Sequence, residues 1–338
     1  MGTVIQHFFS KTQYLHIHMF RIFIIFAFVF YMAATIARAN DTALPTGQEV
    51  VSGSANFIES NNQLTINQST EQLITNWNSF NIGRDATVEF VQPNTTSSAL
   101  NRVNASDPTY IYGQLKANGQ VVLINSMGVI FQNGSKVDVG SIIASSLDMD
   151  NGMFLDNKFV FENKDHDYRG VVNNNGEINA FQDGHVAFIA PEVTNEGIVK
   201  VASGGSVSML AGDKVTMHFN GNKLINYSVD TGTVNALVEN RNAIEVTDGI
   251  VILSAQGVSQ IESAVVNNSG IIKADSMTSV GGKVFLSSSN QVANSGTIST
   301  NSYADQGGHI QVTANDIYIQ AGSVLEATGT GDGGKILI

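Results

Sequence analysis

Asn-Ser-Gly stands at 268–270 and again at 294–296, and Gly-Gly stands at 281–282, 307–308 and 333–334, so both phrases recur at 26 residues. Gly270, Gly296 and Gly322 each open a short run: Ile271-Ile272-Lys273-Ala274, Thr297-Ile298-Ser299-Thr300 and Ser323-Val324-Leu325-Glu326-Ala327. Gly282, Gly308 and Gly334 open a second run, with Val284-Phe285-Leu286, Ile310-Gln311-Val312 and Ile336-Leu337-Ile338. A fixed period of this size marks a stacked repeat, because one such unit cannot bury its apolar face alone. Each period holds two or more short strands and turns, with no helical pattern. The spacing predicts an all-β solenoid. Asn and Gly are expected to turn the chain by accepting φ > 0, and alternating Val, Ile, Phe and Leu to send every second side chain inward.

Looser copies lie upstream. Gly176 and Gly197, and likewise Gly184 and Gly205, are 21 residues apart. A turn shortened by five residues leaves the strands in register, since length changes in solenoids fall in loops. Such a coil is cooperative and exposes its ends. An uncovered first rung is an open strand edge and a template for aggregation, so the N-terminal part is expected to hold a cap. The last copies break off at Ile338 inside a repeat with no polar closing segment. The expectation is an N-terminal portion of a longer protein or a truncated reading frame.

Residues 1–39 read as a secretory signal peptide. Lys11 and Arg21 precede the apolar run Ile22–Ala34, and Ala37-Arg38-Ala39 fits the small-x-small cleavage pattern, which places cleavage between Ala39 and Asn40. The run is shorter than the roughly 20 residues of a membrane span. The mature chain then carries 14 Lys plus Arg against 29 Asp plus Glu, a net charge of −15. No basic patch offers a surface to nucleic acid or an anionic membrane. The chain has no cysteine, although an exported protein meets an oxidising compartment. That is compatible with passage through a narrow pore in extended form, and equally with a solenoid that needs no staple.

Catalytic chemistry is not legible. The mature chain keeps His166, His185, His218 and His309, at separations that form no metal signature. Asp165-His166-Asp167 is the densest polar knot, but Lys164 and Arg169 flank it and a solvated loop explains it. Asp148 and Asp150 repeat the spacing. Gly329–Gly334 occurs once, outside any nonapeptide register that would bind calcium. Trp77, the one tryptophan, reads as a core anchor beside Phe80 and Ile82. No catalytic residue, cofactor site or metal site is assigned.

The stretch from about 45 to 160 carries an ordered series of phrases: Trp77-Asn78-Ser79-Phe80-Asn81-Ile82-Gly83, Ala86-Thr87-Val88-Glu89-Phe90, Gln92-Pro93-Asn94 and Ser98-Ala99-Leu100-Asn101-Arg102-Val103. Asp107-Pro108, Tyr112-Gly113-Gln114-Leu115, Ala117-Asn118-Gly119-Gln120-Val121, Leu123-Ile124-Asn125 and Ser141–Asp148 follow. The series resembles the haemagglutination-activity segment of filamentous haemagglutinin-type exoproteins of two-partner secretion in Gram-negative bacteria. Downstream phrases such as Ala211–Thr216 and Val266–Gly270 are similar to the same family.

The resemblance implies a right-handed parallel β-helix with an N-terminal β-rich cap and small antiparallel extra-helical strands. It also implies a partner, an outer-membrane β-barrel transporter whose POTRA domains recognise the segment in the periplasm. Residues 40–165 would hold the cap and first coils and residues 166–338 the continuing rungs. The membrane would be met only in transit, and the protein would end at the cell surface or outside the cell. Host glycans or host proteins would be met through a distal region.

The family commonly has Asn-Pro-Asn-Gly and an aliphatic residue after the Asn-Gly-Gln strand, a motif that shapes a turn and is needed for efficient secretion. Here it reads Asn125-Ser126-Met127-Gly128-Val129. Asn125, Gly128 and Val129 agree. Ser126 does not lock φ as proline does, and Met127 has no amide to hydrogen-bond. These five residues and Asn101 are the candidate secretion-motif residues. Two alternatives accompany this reading: a carbohydrate-active β-helix enzyme, which would need carboxylates converging on one face of successive rungs, and a haem- or metal-scavenging exoprotein, which would need a histidine pair or a specialised distal domain.

Overall fold

The computed structural model describes residues 41–163, 170–258, 263–278 and 280–338. The signal segment with the Ala39–Asn40 junction, the Lys164–Arg169 knot and the proposed 165/166 division lie outside the described residues. From residue 63 onward the chain winds as a parallel β-helix with three strands per coil. A 20-stranded sheet wraps two of its faces and an 8-stranded sheet forms the third. One apolar core runs along the axis from Leu64 to Val312.

The repeat phrases set the register as expected at most positions. Ile271 pairs with Thr297 on the first face, and on the second Lys283 pairs with His309 and His309 with Lys335. The shorter upstream step is also met: Glu177 pairs with Ile198 and His185 with Ser206. One copy departs. Thr297 pairs with Val324 rather than Ser323, because the turn closed by the Ser323 N–H on the Gln320 carbonyl holds an extra residue and places Gly322 at φ +89°.

The asparagine-glycine phrase works differently from the expectation. Neither Asn268, Asn294, Gly270 nor Gly296 has positive φ. The glycines are needed for space: a Cβ on Gly270 would meet the Asn242 backbone, and one on Gly296 the Gly270 carbonyl. The asparagines end the strands of the third face and turn inward. Asn174, Asn195, Asn240, Asn268 and Asn294 are fully buried, and each Nδ2 donates to the Oδ1 of the next at 2.7–2.8 Å. The result is a continuous amide ladder inside the coil, in which each buried side chain pairs with its own kind one rung away and also bonds nearby backbone groups, as Asn240 does to the Asn242 carbonyl and Asn174 to the Gly176 N–H.

The N-terminal end is capped by antiparallel strands. Ala55–Ser60 lies on Gln63–Gln68, and Glu49–Ser52 lies on Gln72–Trp77. These cover the first rung on two faces and remove the open edge. Trp77 anchors the rung: it is buried, with Phe57 and Phe80 edge-on to it at 5.8 and 5.2 Å.

The second face is buried on both sides. Its strands read as continuous apolar runs in Val121-Val122-Leu123-Ile124, Ile142-Ile143-Ala144 and Val186-Ala187-Phe188-Ile189, with no exposed position, as expected of a sheet covered twice. The cover is a four-stranded antiparallel sheet made by two excursions of the chain, with strands Asp148–Met149, Phe159–Glu162, Lys214–Asn220 and Lys223–Thr231. Phe154, Phe159, Phe161, Val215 and Met217 pack down onto Leu100, Val122, Ile143, Ile189 and Leu210. A short helix, Asn151–Leu155, is capped by the Asp150 carboxylate, which accepts from the Gly152 and Met153 amides. Arg102 ties the excursion to the second coil, with Nε 2.8 Å from Asp148 and Nη2 donating to the Met149 carbonyl at 2.6 Å. Gln72 donates to the Phe154 carbonyl from the first coil.

Candidate functional site

The turn that ends the long strand Gln114–Ile124 holds the secretion-motif candidates together. The Gly128 N–H donates to the Asn125 carbonyl at 2.8 Å, which closes a β-turn over Ser126 and Met127. Asn125 is completely buried. Its Oδ1 accepts from the Met127 N–H at 2.9 Å, and its Nδ2 donates to the Asp107 carbonyl and to Thr109 Oγ1, both at 3.0 Å. Its own N–H donates to the Ser145 carbonyl of the next coil. One amide therefore shapes the turn and clamps the preceding 104–109 loop to the following rung.

Gly128 sits at φ +113°, and a Cβ there would press on the Val171 backbone. Val129 is buried, paired between Thr109 and Val172. Ser126 and Met127 are half-buried. The turn thus forms without the proline and the second asparagine. The i+1 position needs only a residue that accepts φ near −65°, and the Asn125 side chain supplies the Asx hydrogen bond that fixes the rest. A hollow of about 320 Å³ opens beside the turn, lined by Phe80, Asn81, Val103, Asp107, Thr109 and Asn125 among others.

Asn101 does not join this turn. It is buried one coil earlier, with Oδ1 accepting from Trp77 Nε1–H at 3.0 Å and Nδ2 donating to the carbonyls of Ala99 and Val122. It orients the tryptophan of the first rung and reaches the strand that leads to Asn125. The link between the two candidates is the strand itself, since Asn101 pairs with Leu123.

The histidines are dispersed. His166 lies outside the described residues, His218 is exposed on the covering sheet, and His309 is half-buried on the second face. His185 is buried under the covering sheet, stacked on Phe219 with ring centroids 4.3 Å apart. Its Nδ1–H donates to the Asn222 carbonyl at 3.1 Å and its Nε2 accepts from Gln120 Nε2 at 2.9 Å. Burial lowers its pKa to about 4, and the Asn222 hydrogen bond opposes the shift. Sequence reasoning did not single out this clasp. Its signal is a histidine opening an all-apolar strand, His185–Ile189. Among the described residues no three His, Asp or Glu side chains are grouped to hold a metal ion, and no helix is long and apolar enough to cross a membrane.

A capped, roofed, parallel β-helix with an Asx-fixed turn in its third coil defines the class by fold: a capped β-solenoid domain. The chain belongs to the TPS secretion-domain family, whose profile it matches over residues 41–300. It is similar to the HMW1 secretion domain from Haemophilus influenzae, at 26% identity with a TM-score of 0.66, covering 86% of this chain and 94% of that one. A heme/hemopexin-binding protein of Haemophilus influenzae strain Rd is 33% identical over 266 residues, or 77% of this chain and 29% of the relative. Another heme/hemopexin-binding protein of Haemophilus influenzae is 28% identical over 293 residues, or 80% of this chain and 31% of the relative. The chain thus spans about a third of the length of these relatives.

Proposed function

We propose that this chain is the export-directing portion of an exoprotein displayed on or released from the cell surface, and that it acts through recognition and folding, not catalysis. The observation that carries the reading is the family match over residues 41–300, which begins one residue after the junction Ala39–Asn40 proposed for signal cleavage. In this reading the signal peptide delivers the chain to the periplasm. The POTRA domains of a dedicated outer-membrane β-barrel then bind it, and it crosses in extended form. Outside, the capped first coils form first and template the rest, since each rung is stabilised by its neighbours. Export needs no ATP if completed rungs cannot slide back.

Asn125, Ser126, Met127, Gly128 and Val129 act in this scheme as the turn that carries the third coil from its second face to its third, and Asn101 as the support of the coil before it. The test is co-expression with the cognate barrel and assay of the medium. Native chain is expected in the medium only when the barrel is present, and Asn125→Ala to accumulate in the periplasm. Equal release without the barrel would overturn the partner assignment. N-terminal sequencing of the released chain checks the cleavage at Asn40.

The names of the two curated relatives favour a second reading for the whole exoprotein, binding of haem or hemopexin. Titration of the mature chain with haem, followed in the visible spectrum, tests it: an absorbance change that saturates supports haem binding by this portion. Host glycans or proteins would in either case be targets of the whole exoprotein.

A further inference from the structure

We propose that the groove on either side of the hairpin tip at residues 219–223 is a binding site for a neutral oligosaccharide. The hairpin of strands Lys214–Asn220 and Lys223–Thr231 arches over the corner between the first and second faces. Asn222 fixes its tip, donating through Nδ2 to the Thr95 carbonyl at 2.7 Å while its own carbonyl accepts from His185. Two cavities result, one of about 520 Å³ and one of about 450 Å³, which share Thr96, Asn220 and Asn222. Each falls in the size range of small-ligand pockets, ~300–1,000 Å³. Their walls are fixed by the hairpin anchor and the stacked coil corners, so the site is preformed.

The lining has the chemistry of a sugar site. Phe181 is 48% exposed at the first cavity. The coil does not require a ring there, because the equivalent corner of the next coil carries Ala202 and the one after it Thr247. An exposed aromatic face suits the C–H face of a pyranose. Around it stand Gln182, Asp183, Asn220 and Lys223, with Gln72, Gln120 and Asn157 at the second cavity. Amides present donor and acceptor together, as paired hydroxyls require. Lys223 and Asp183 offset each other at the first cavity, and the Glu71 carboxylate at the second already accepts from Asn94 Nδ2 and Ser97 Oγ, which disfavours an anion or a free cation as the ligand.

A peptide is the competing occupant and fits less well. Extended peptides dock on open sheet edges or into apolar pockets. The strands beneath the groove are paired on both sides, and the lining is mostly hydroxyl and amide. The groove and the Asn125–Val129 turn lie at opposite margins of the second face, so the two sites are separable.

The test uses the mature chain with chitotriose, mannotriose and N-acetyllactosamine as probes in ligand-observed saturation-transfer NMR. At least one probe is expected to bind, and Phe181→Ala or Gln182→Ala to weaken it about five- to tenfold, with unchanged circular dichroism and unchanged release by the barrel. No binding of any probe at millimolar concentration would overturn the proposal, as would binding insensitive to both substitutions. If Phe181→Ala instead weakened binding of the barrel's POTRA fragment, the groove would belong to a protein partner.

Discussion

The coils up to Ala255 and those beyond it share one winding but reach stability by different means. In the earlier coils the second face is buried on both sides, and its strands are held by unlike devices: the Trp77–Asn101 hydrogen bond, the Asn125 clamp, the Arg102 tie and the aromatic roof. In the later coils the strands return to simple alternation, as in Lys283–Ser288 and His309–Thr313. There the covering sheet ends and the amide ladder, which starts at Asn174 in the earlier coils, carries the same contact on from rung to rung. Individual fitting gives the start of the coil a unique register. Repetition lets the remainder extend by copying the rung before it.

Substitutions in the two regions should therefore behave differently. Phe161→Ala empties the centre of the roof and is expected to cost about 3–5 kcal/mol. Hydrogen exchange should rise in strands 159–162 and 214–220 while strands beyond 283 stay protected. Equal loss of protection in both regions would mean that the coil unfolds as one unit. Asn268→Ala interrupts the ladder beyond Ala255 and removes a partner from the buried amides of Asn240 and Asn294, at a cost of roughly 2–4 kcal/mol. Its exchange signature should be the reverse, with opening at 264–268 and 291–294.

Acidification probes the joint between roof and coil. His185 has a folded pKa of about 4 against an ordinary value near 6.5. Well above pH 6.5, from about pH 7.5, neither state carries the proton and stability is unaffected. As pH falls from 6.5 toward 4, the unfolded chain takes up a proton that the folded chain refuses, and up to roughly 3 kcal/mol is lost. Urea midpoints should fall between pH 6.5 and 5, and His185→Gln should flatten that slope. An unchanged slope would remove His185 as the titrating group.

The smallest effect is expected at the secretion-motif turn. Ser126→Pro places at i+1 the residue that common β-turns favour there and is expected to stabilise by about 0.4–1 kcal/mol, read as a rise in the thermal midpoint. A drop would show that Ser126 holds a backbone conformation that proline cannot enter.

Several of these features could be read in advance. The 26-residue spacing gave the coil and most of its register, because a solenoid places equal residues at equal heights. The phrases around Trp77 and Asn125 marked the first coils. The amide ladder is half legible: the asparagine-glycine phrases mark the corners of the coil, yet the buried pairing of the amides needs two rungs at hydrogen-bonding distance. The roof left a clear trace in the unbroken apolar runs at 121–124 and 186–189, which simple alternation does not produce. What those runs faced could not be inferred, since residues 148–162 and 214–231 lie far apart in the chain and neither excursion covers the face alone.

The sequence by itself determined the repeat, the turn positions and the inward side of each strand, because these depend on residue spacing and local backbone preference. Only the tertiary structure decided the rest. It brought two excursions together over one face, set His185 beneath the hairpin and Phe181 at the edge of a groove, and made Asn125 a clamp between coils. Each of these depends on long-range contacts that no local pattern encodes.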